Sequence, residues 1–125
     1  MPVDITIRIA GKAIAAELND SETARAIVDV LPIEAEFSTW GDEIYFSVSV
    51  KTGLEKPREV VEIGEIGYWP PGNAFCIFYG ATPGSTEDRI LPASPVNSIG
   101  RVLDDPKKFT RLVKKSNKIQ ILRSE

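Results

Sequence analysis

The segment GYWPPGNAFCIFYG, Gly67 to Gly80, decides how the rest of this chain is read. It carries five aromatic residues, Tyr68, Trp69, Phe75, Phe78 and Tyr79, around Pro70-Pro71-Gly72-Asn73. Proline pre-sets a bend and glycine admits a positive φ, so the middle is a tight turn between two strands. The run AFCIFY from Ala74 is apolar at every position. Such a strand is expected to be covered on both faces, as a barrel wall is beneath a helix. Alternation places Ala74, Cys76 and Phe78 on one face and Phe75, Ile77 and Tyr79 on the other. Trp69, Phe75 and Phe78 are either the apolar floor of a ligand groove or core, and at least one face must be core. Tyr68 and Trp69 flank the turn, and their polar handles reach solvent readily.

The flanking sequence reads as further short strands. Val3 to Ile9 alternates apolar and polar residues, and after Gly11-Lys12 the chain returns through Ala13 to Leu18. Asp20 or Ser21 caps a helix whose apolar stripe is Ala24, Ile27, Val28 and Leu31, and Pro32 ends it. Ile33 to Thr39 and Glu43 to Val50 are strands joined by a turn at Gly41-Asp42. Lys51 to Arg58 is a loop, and Val60 to Ile66 is a short strand interrupted by Gly64. Ala81 to Ser98 is a long loop with three prolines, and Ile99 to Leu103 a strand. Asp105-Pro106 opens a second helix with Phe109, Leu112 and Val113 on its apolar side. Lys118 to Arg123 closes the chain. Strands dominate, and the two helices lie too far apart for successive βαβ units. The expected fold is a mainly β, closed eight-stranded antiparallel barrel, capped by two α-helices, as a single domain over residues 1–125.

Composition narrows the function. The chain has 125 residues, a net charge of −3, no histidine and one cysteine, Cys76. A disulfide, a Cys/His zinc site and any histidine-based catalytic set are thereby excluded. No metal or cofactor is expected, and acid–base chemistry falls to Asp, Glu, Lys or Tyr. Basic residues are scattered apart from a C-terminal group, so nucleic acid is not an expected partner. No apolar run approaches the length of a membrane span, and MPVDITIRIAGK lacks a signal-peptide core, so a cytoplasmic location is expected. Glu59, Glu62 and Glu65 recur every three residues and read as a charged edge that resists aggregation. Cys76, amid an apolar strand, reads as a buried structural thiol.

Longer phrases carry a family resemblance. SETARAIVDVLP is similar to the first helix of cyclophilins, and NSIGRVLDDPKKFTRLV resembles their strand leading into the last helix. WGDEIYF, GYWPPGNAFCIFYG and PASPVNSIGRV together resemble a small prokaryotic cyclophilin-like family of unassigned function, over nearly the whole chain. The resemblance implies the same eight-stranded barrel. Cyclophilins are peptidyl-prolyl isomerases, which twist an X–Pro amide over a barrier of about 18–20 kcal/mol. An arginine in a Phe-His-Arg phrase, followed by Gln-Gly-Gly, serves that reaction. Here the corresponding region is AEFSTWGDEIYFSVSV, with no arginine, glutamine or glycine pair. Val96 stands about where the cyclophilin histidine would be.

The expected function is therefore binding of a peptide or small molecule in an aromatic-lined groove. The candidate residues are Glu43, Tyr45, Trp69, Asn73, Phe78, Ser94 and Asn97. Ser94 and Asn97 enter because the resemblance sets them beside the cyclophilin groove. Glu43 shares a face with Tyr45. It is either a solvated charge or a carboxylate at the groove mouth that selects a cationic or amide-bearing ligand. The alternative is a weak or atypical prolyl isomerase that recruits an arginine such as Arg89 from the long loop. A subunit interface built on the aromatic patch is a third reading.

Overall fold

Strands β1 (Val3–Ile9) and β2 (Lys12–Leu18) pair antiparallel, with Val3 opposite Leu18 and Ile9 opposite Lys12. Ile5, Ile7, Ile9, Ile14, Ala16 and Leu18 all turn inward, as the alternation requires. The connecting turn has Ala10 and Gly11 at φ of 53° and 77°. Two successive positive φ values match the twist of a two-residue hairpin. The structure is a computed structural model and describes residues 1–124.

Helix α1 (Glu22–Asp29) is capped by Ser21, whose hydroxyl accepts from the Ala24 N–H at 3.2 Å. Ala24 and Ile27 pack inward. The segment expected as one strand, Ile33 to Thr39, is two: β3 (Ile33–Glu36) and β4 (Ser38–Thr39). Phe37 breaks them apart. Its ring is buried, and its N–H donates outside the strand to the Asn117 carbonyl at 2.8 Å. Before the break the chain pairs with β9 (Lys118–Arg123), and after it with β5 (Glu43–Ser47).

This bend nearly closes the sheet. Its order is β3-β9-β1-β2-β8-β6-β7-β5-β4, so both ends belong to one bent segment. The barrel has nine strands instead of the expected eight because Phe37 splits one of them. Strands β6 (Glu65–Trp69), β7 (Ala74–Phe78) and β8 (Asn97–Val102) complete it. β6 begins only after Gly64, at φ 90°, and the residues before it contribute the single bridges Arg58–Val96 and Val61–Ile90. α2 is one turn, Phe109–Leu112, after a 3-10 turn in which Asp105 accepts from the Lys107 N–H. No helix among the described residues is long and apolar enough to cross a membrane.

The barrel interior holds the main core, including the stacked Phe46 and Phe75 rings with centroids 5.2 Å apart. A second core lies outside the wall, formed by Val61, Ala74, Cys76, Phe78 and Val96. β7 is thus covered on both faces. Its outer cover comes from the loop residues Val61, Ile90 and Val96 and from no helix residue. Thr82 and Ser85 pin the segment 79–96: the Thr82 hydroxyl donates to the Leu91 carbonyl, and Ser85 Oγ accepts from the Thr82 and Leu91 N–H groups.

Candidate functional site

Strand register explains why a pocket opens on the outer wall. Glu43 lies opposite Phe78, Tyr45 opposite Cys76, and Trp69 opposite Ala74, while Gly67 faces Cys76 from β6. The centre of this face is therefore small, made of Gly67, Ala74 and Cys76, with large Tyr45 and Trp69 at its sides. Val96 occupies part of the space over Gly67, where an added Cβ would meet Val96 Cγ2 at 3.0 Å. What remains is a pocket of about 200 Å³ walled by Trp40, Glu43, Tyr45 and Trp69 and roofed by Pro92, Ala93 and Val96.

The walls are held in place. Trp69 Nε1 donates to Ser94 Oγ at 2.6 Å, which ties the indole to the roof. The Trp40 N–H donates to the Glu43 carbonyl at 2.9 Å across the tight β4–β5 turn, so both side chains come to the same rim. Glu43 is only 7% exposed. Burial pushes its carboxyl up from 4.5 to about 7, and the neighbouring Cys76 thiol offsets a smaller part of that effect. Cys76 is itself held well above the usual thiol range by burial and then by Glu43. A buried acid poised near neutrality on a pocket wall marks a functional-site candidate.

A larger hollow of about 470 Å³ lies between β2, β6 and β8. It is lined by charged groups such as Arg58, Glu62 and the Arg101–Glu17 ion pair at 2.8 Å. The smaller pocket joins apolar walls to one buried polar group, the usual composition of a ligand site.

Comparison with known proteins gives the lineage. The family model described as Cyclophilin-like matches residues 3–122. The chain belongs to the cyclophilin-like family. Its fold is shared with a hypothetical protein of Archaeoglobus fulgidus, known from a solution structure. The two are 38% identical, with a TM-score of 0.78, over 98% of this chain and 95% of that one. Among curated proteins, none matches the sequence.

Within this cyclophilin-like barrel, the residues singled out from the sequence separate into two groups. Glu43, Tyr45 and Trp69 meet at the pocket, and Ser94 supports Trp69. Phe78 is on the same face but fully buried beneath the second core. Asn73 closes the β6–β7 turn at φ 48°, with its side-chain amide 3.2 Å from the Tyr68 hydroxyl. Asn97 is fully buried elsewhere. Its Oδ1 accepts from the Glu55 N–H at 2.7 Å, and its Nδ2 donates to the Gly53 carbonyl and the Thr23 hydroxyl.

Two other expectations change. Tyr68 does not reach solvent: it lies in the interior, and its hydroxyl donates to the Val50 carbonyl at 2.7 Å. Glu65 is no solvated edge charge. It is buried, with Oε1 accepting from the Glu62 N–H and Arg58 3.8 Å away. No group of three or more metal-ligating side chains occurs among the described residues. Sequence reading missed Trp40, Pro92, Ala93 and Val96 as pocket walls. The WGDE turn was a usable signal for Trp40, since a tight turn brings its first and fourth residues together.

Proposed function

We propose that this protein is a binding module whose outer-wall pocket takes a small molecule or one side chain of a peptide. One observation carries the reading: two tryptophans, a tyrosine and a buried carboxyl surround one pocket of about 200 Å³. None of the walls is an arginine, and Arg89 is exposed and outside the lining. A prolyl isomerase needs a donor at the prolyl nitrogen, so the site is built to bind and not to twist an amide. We also read the protein as cytoplasmic, which its single unpaired, buried cysteine suits.

The test is tryptophan fluorescence titrated with proline peptides and small metabolites, in Trp40→Phe and Trp69→Phe variants that assign the signal. A saturable change traced to either ring supports the reading. Filling the pocket with Ala93→Trp should abolish it. Acceleration of proline-peptide isomerisation above the uncatalysed rate would overturn the reading in favour of an enzyme.

A further inference from the structure

Glu43 differs from the other carboxylates held by this chain. Glu55 accepts from the Glu22 and Thr23 N–H groups and the Thr23 hydroxyl. Glu17 pairs with Arg101, Asp104 with Lys108, and Glu65 has Arg58 at 3.8 Å. Among the described residues no ion pair reaches Glu43, although it is as deeply buried as Glu65. Its neighbours in the pocket are aromatic: Trp40, Tyr45 and Trp69.

Both features attract positive charge. The face of an aromatic ring is electronegative and draws a cation, most strongly for tryptophan. A carboxylate withdrawn from water draws one more strongly than it would at the surface. The walls also discriminate among cations. A primary ammonium carries three N–H donors and needs acceptors to replace its water. The side-chain acceptors lining the pocket are the Glu43 carboxyl and the Tyr45 hydroxyl, two groups for three donors, and the other lining side chains offer none. Alkyl groups on nitrogen remove those donors and present carbon to the ring faces, Pro92, Ala93 and Val96.

We propose that the group this pocket takes is an alkylated ammonium, with its methyl groups against Trp40, Tyr45 and Trp69 and its charge facing the Glu43 carboxyl. This rests on the reading of the pocket as a binding site and names the chemistry of its occupant.

The experiment compares choline with 3,3-dimethylbutan-1-ol, its uncharged carbon isostere, by tryptophan fluorescence at about pH 8. Sodium chloride serves as the ionic-strength control. Choline should bind at least about tenfold more tightly than the isostere. Glu43→Gln, which keeps the side-chain shape, should shrink that preference to less than about threefold. Trp69→Leu should weaken choline about tenfold and leave the isostere nearly unchanged. Tenfold is about 1.4 kcal/mol, within reach of a desolvated cation–π contact. Equal binding of both probes, or tighter binding of the isostere, overturns the ammonium assignment and leaves the pocket standing. A response to proline peptides with none to choline does the same. Silence of both tryptophans to every probe removes the assignment and the binding reading together.

Discussion

Replacing Glu43 by glutamine should change how stability depends on pH. The folded protein holds the Glu43 proton up to about pH 7, whereas an unfolded glutamate releases it near 4.5. The fold therefore binds more protons than the unfolded chain between these values. Stability from this group is fully present below about pH 4.5 and is lost as pH rises through about 7. At about 1.4 kcal/mol per pH unit, the loss totals about 3 kcal/mol, most of it between pH 5 and pH 8. With an m-value of about 2 kcal/mol per molar in urea, the wild-type midpoint should fall by on the order of 1 M across that range. Glu55 and Asp104 shift the other way, held down by their hydrogen bonds, so their contributions build up as pH rises to the usual carboxylate range and are complete above it. They are common to both proteins and cancel in the comparison. The titratable group beside Glu43 is Cys76, diagonal to it across the β5–β7 pair, and its thiol stays protonated throughout. The assay is urea unfolding by circular dichroism at several pH values for wild type and Glu43→Gln. Glu43→Gln should lose the decline. Parallel curves would mean that Glu43 ionises as an ordinary surface acid, and the argument for a desolvated pocket would fail.

Three further outcomes follow from the same packing. Asn97→Ala removes three hydrogen bonds that join the 51–58 loop to α1 and β8, and should cost about 2–4 kcal/mol by urea unfolding, at about 1 kcal/mol per bond. Limited proteolysis should then cut first within that loop, and an unchanged cleavage pattern would show the loop to be held by other contacts. Cys76 should not react with a thiol reagent in the native protein and should react fully in denaturant, since it is buried and its thiolate is disfavoured. Gly100→Ala would place a Cβ 2.1 Å from the Glu17 carbonyl, inside the β2–β8 pairing, so soluble expression should fall and the unfolding midpoint should drop by at least about 1–3 kcal/mol in equivalent stability.

Much of the barrel was legible because its strands obey short-range rules. β1 was bounded correctly from alternation and β9 as the closing strand, and the two faces of β7 were sorted correctly into Ala74, Cys76, Phe78 and Phe75, Ile77, Tyr79. Alternation does not say which face is inside. That depends on closure of the sheet, which the Phe37 break controls through pairings far away in sequence. Tyr68 misled for a related reason. A tyrosine beside a turn usually reaches water, but this one finds the Val50 carbonyl within the interior and needs no water. The burial of Glu43 and Phe78 was equally hidden, because their cover comes from loop residues such as Val61, Pro92 and Val96, in segments without periodicity. Asn97 was singled out for its place in the family resemblance. Its hydrogen bonds assign it to holding a loop.

The two cores together explain where a ligand can bind. The barrel interior is filled by isoleucine and phenylalanine side chains, and each one fully buried contributes about 1.5–3 kcal/mol. A ligand there would have to displace packing that the fold needs. The outer wall carries a different balance. Gly67, Ala74 and Cys76 leave the space, Tyr45 and Trp69 border it, and 79–96 roofs it through contacts of its own at Thr82, Ser85 and Leu91. The roof thus has hydrogen bonds of its own beside the Trp69–Ser94 bond and the Arg58–Val96 bridge that tie it to the wall. Changes at Pro92 or Ala93 can reshape the pocket without touching a barrel hydrogen bond, whereas changes at Gly67 or Cys76 disturb the second core. On the proposed reading, the roof and Glu43 would set the choice of ligand, while the floor belongs to the second core.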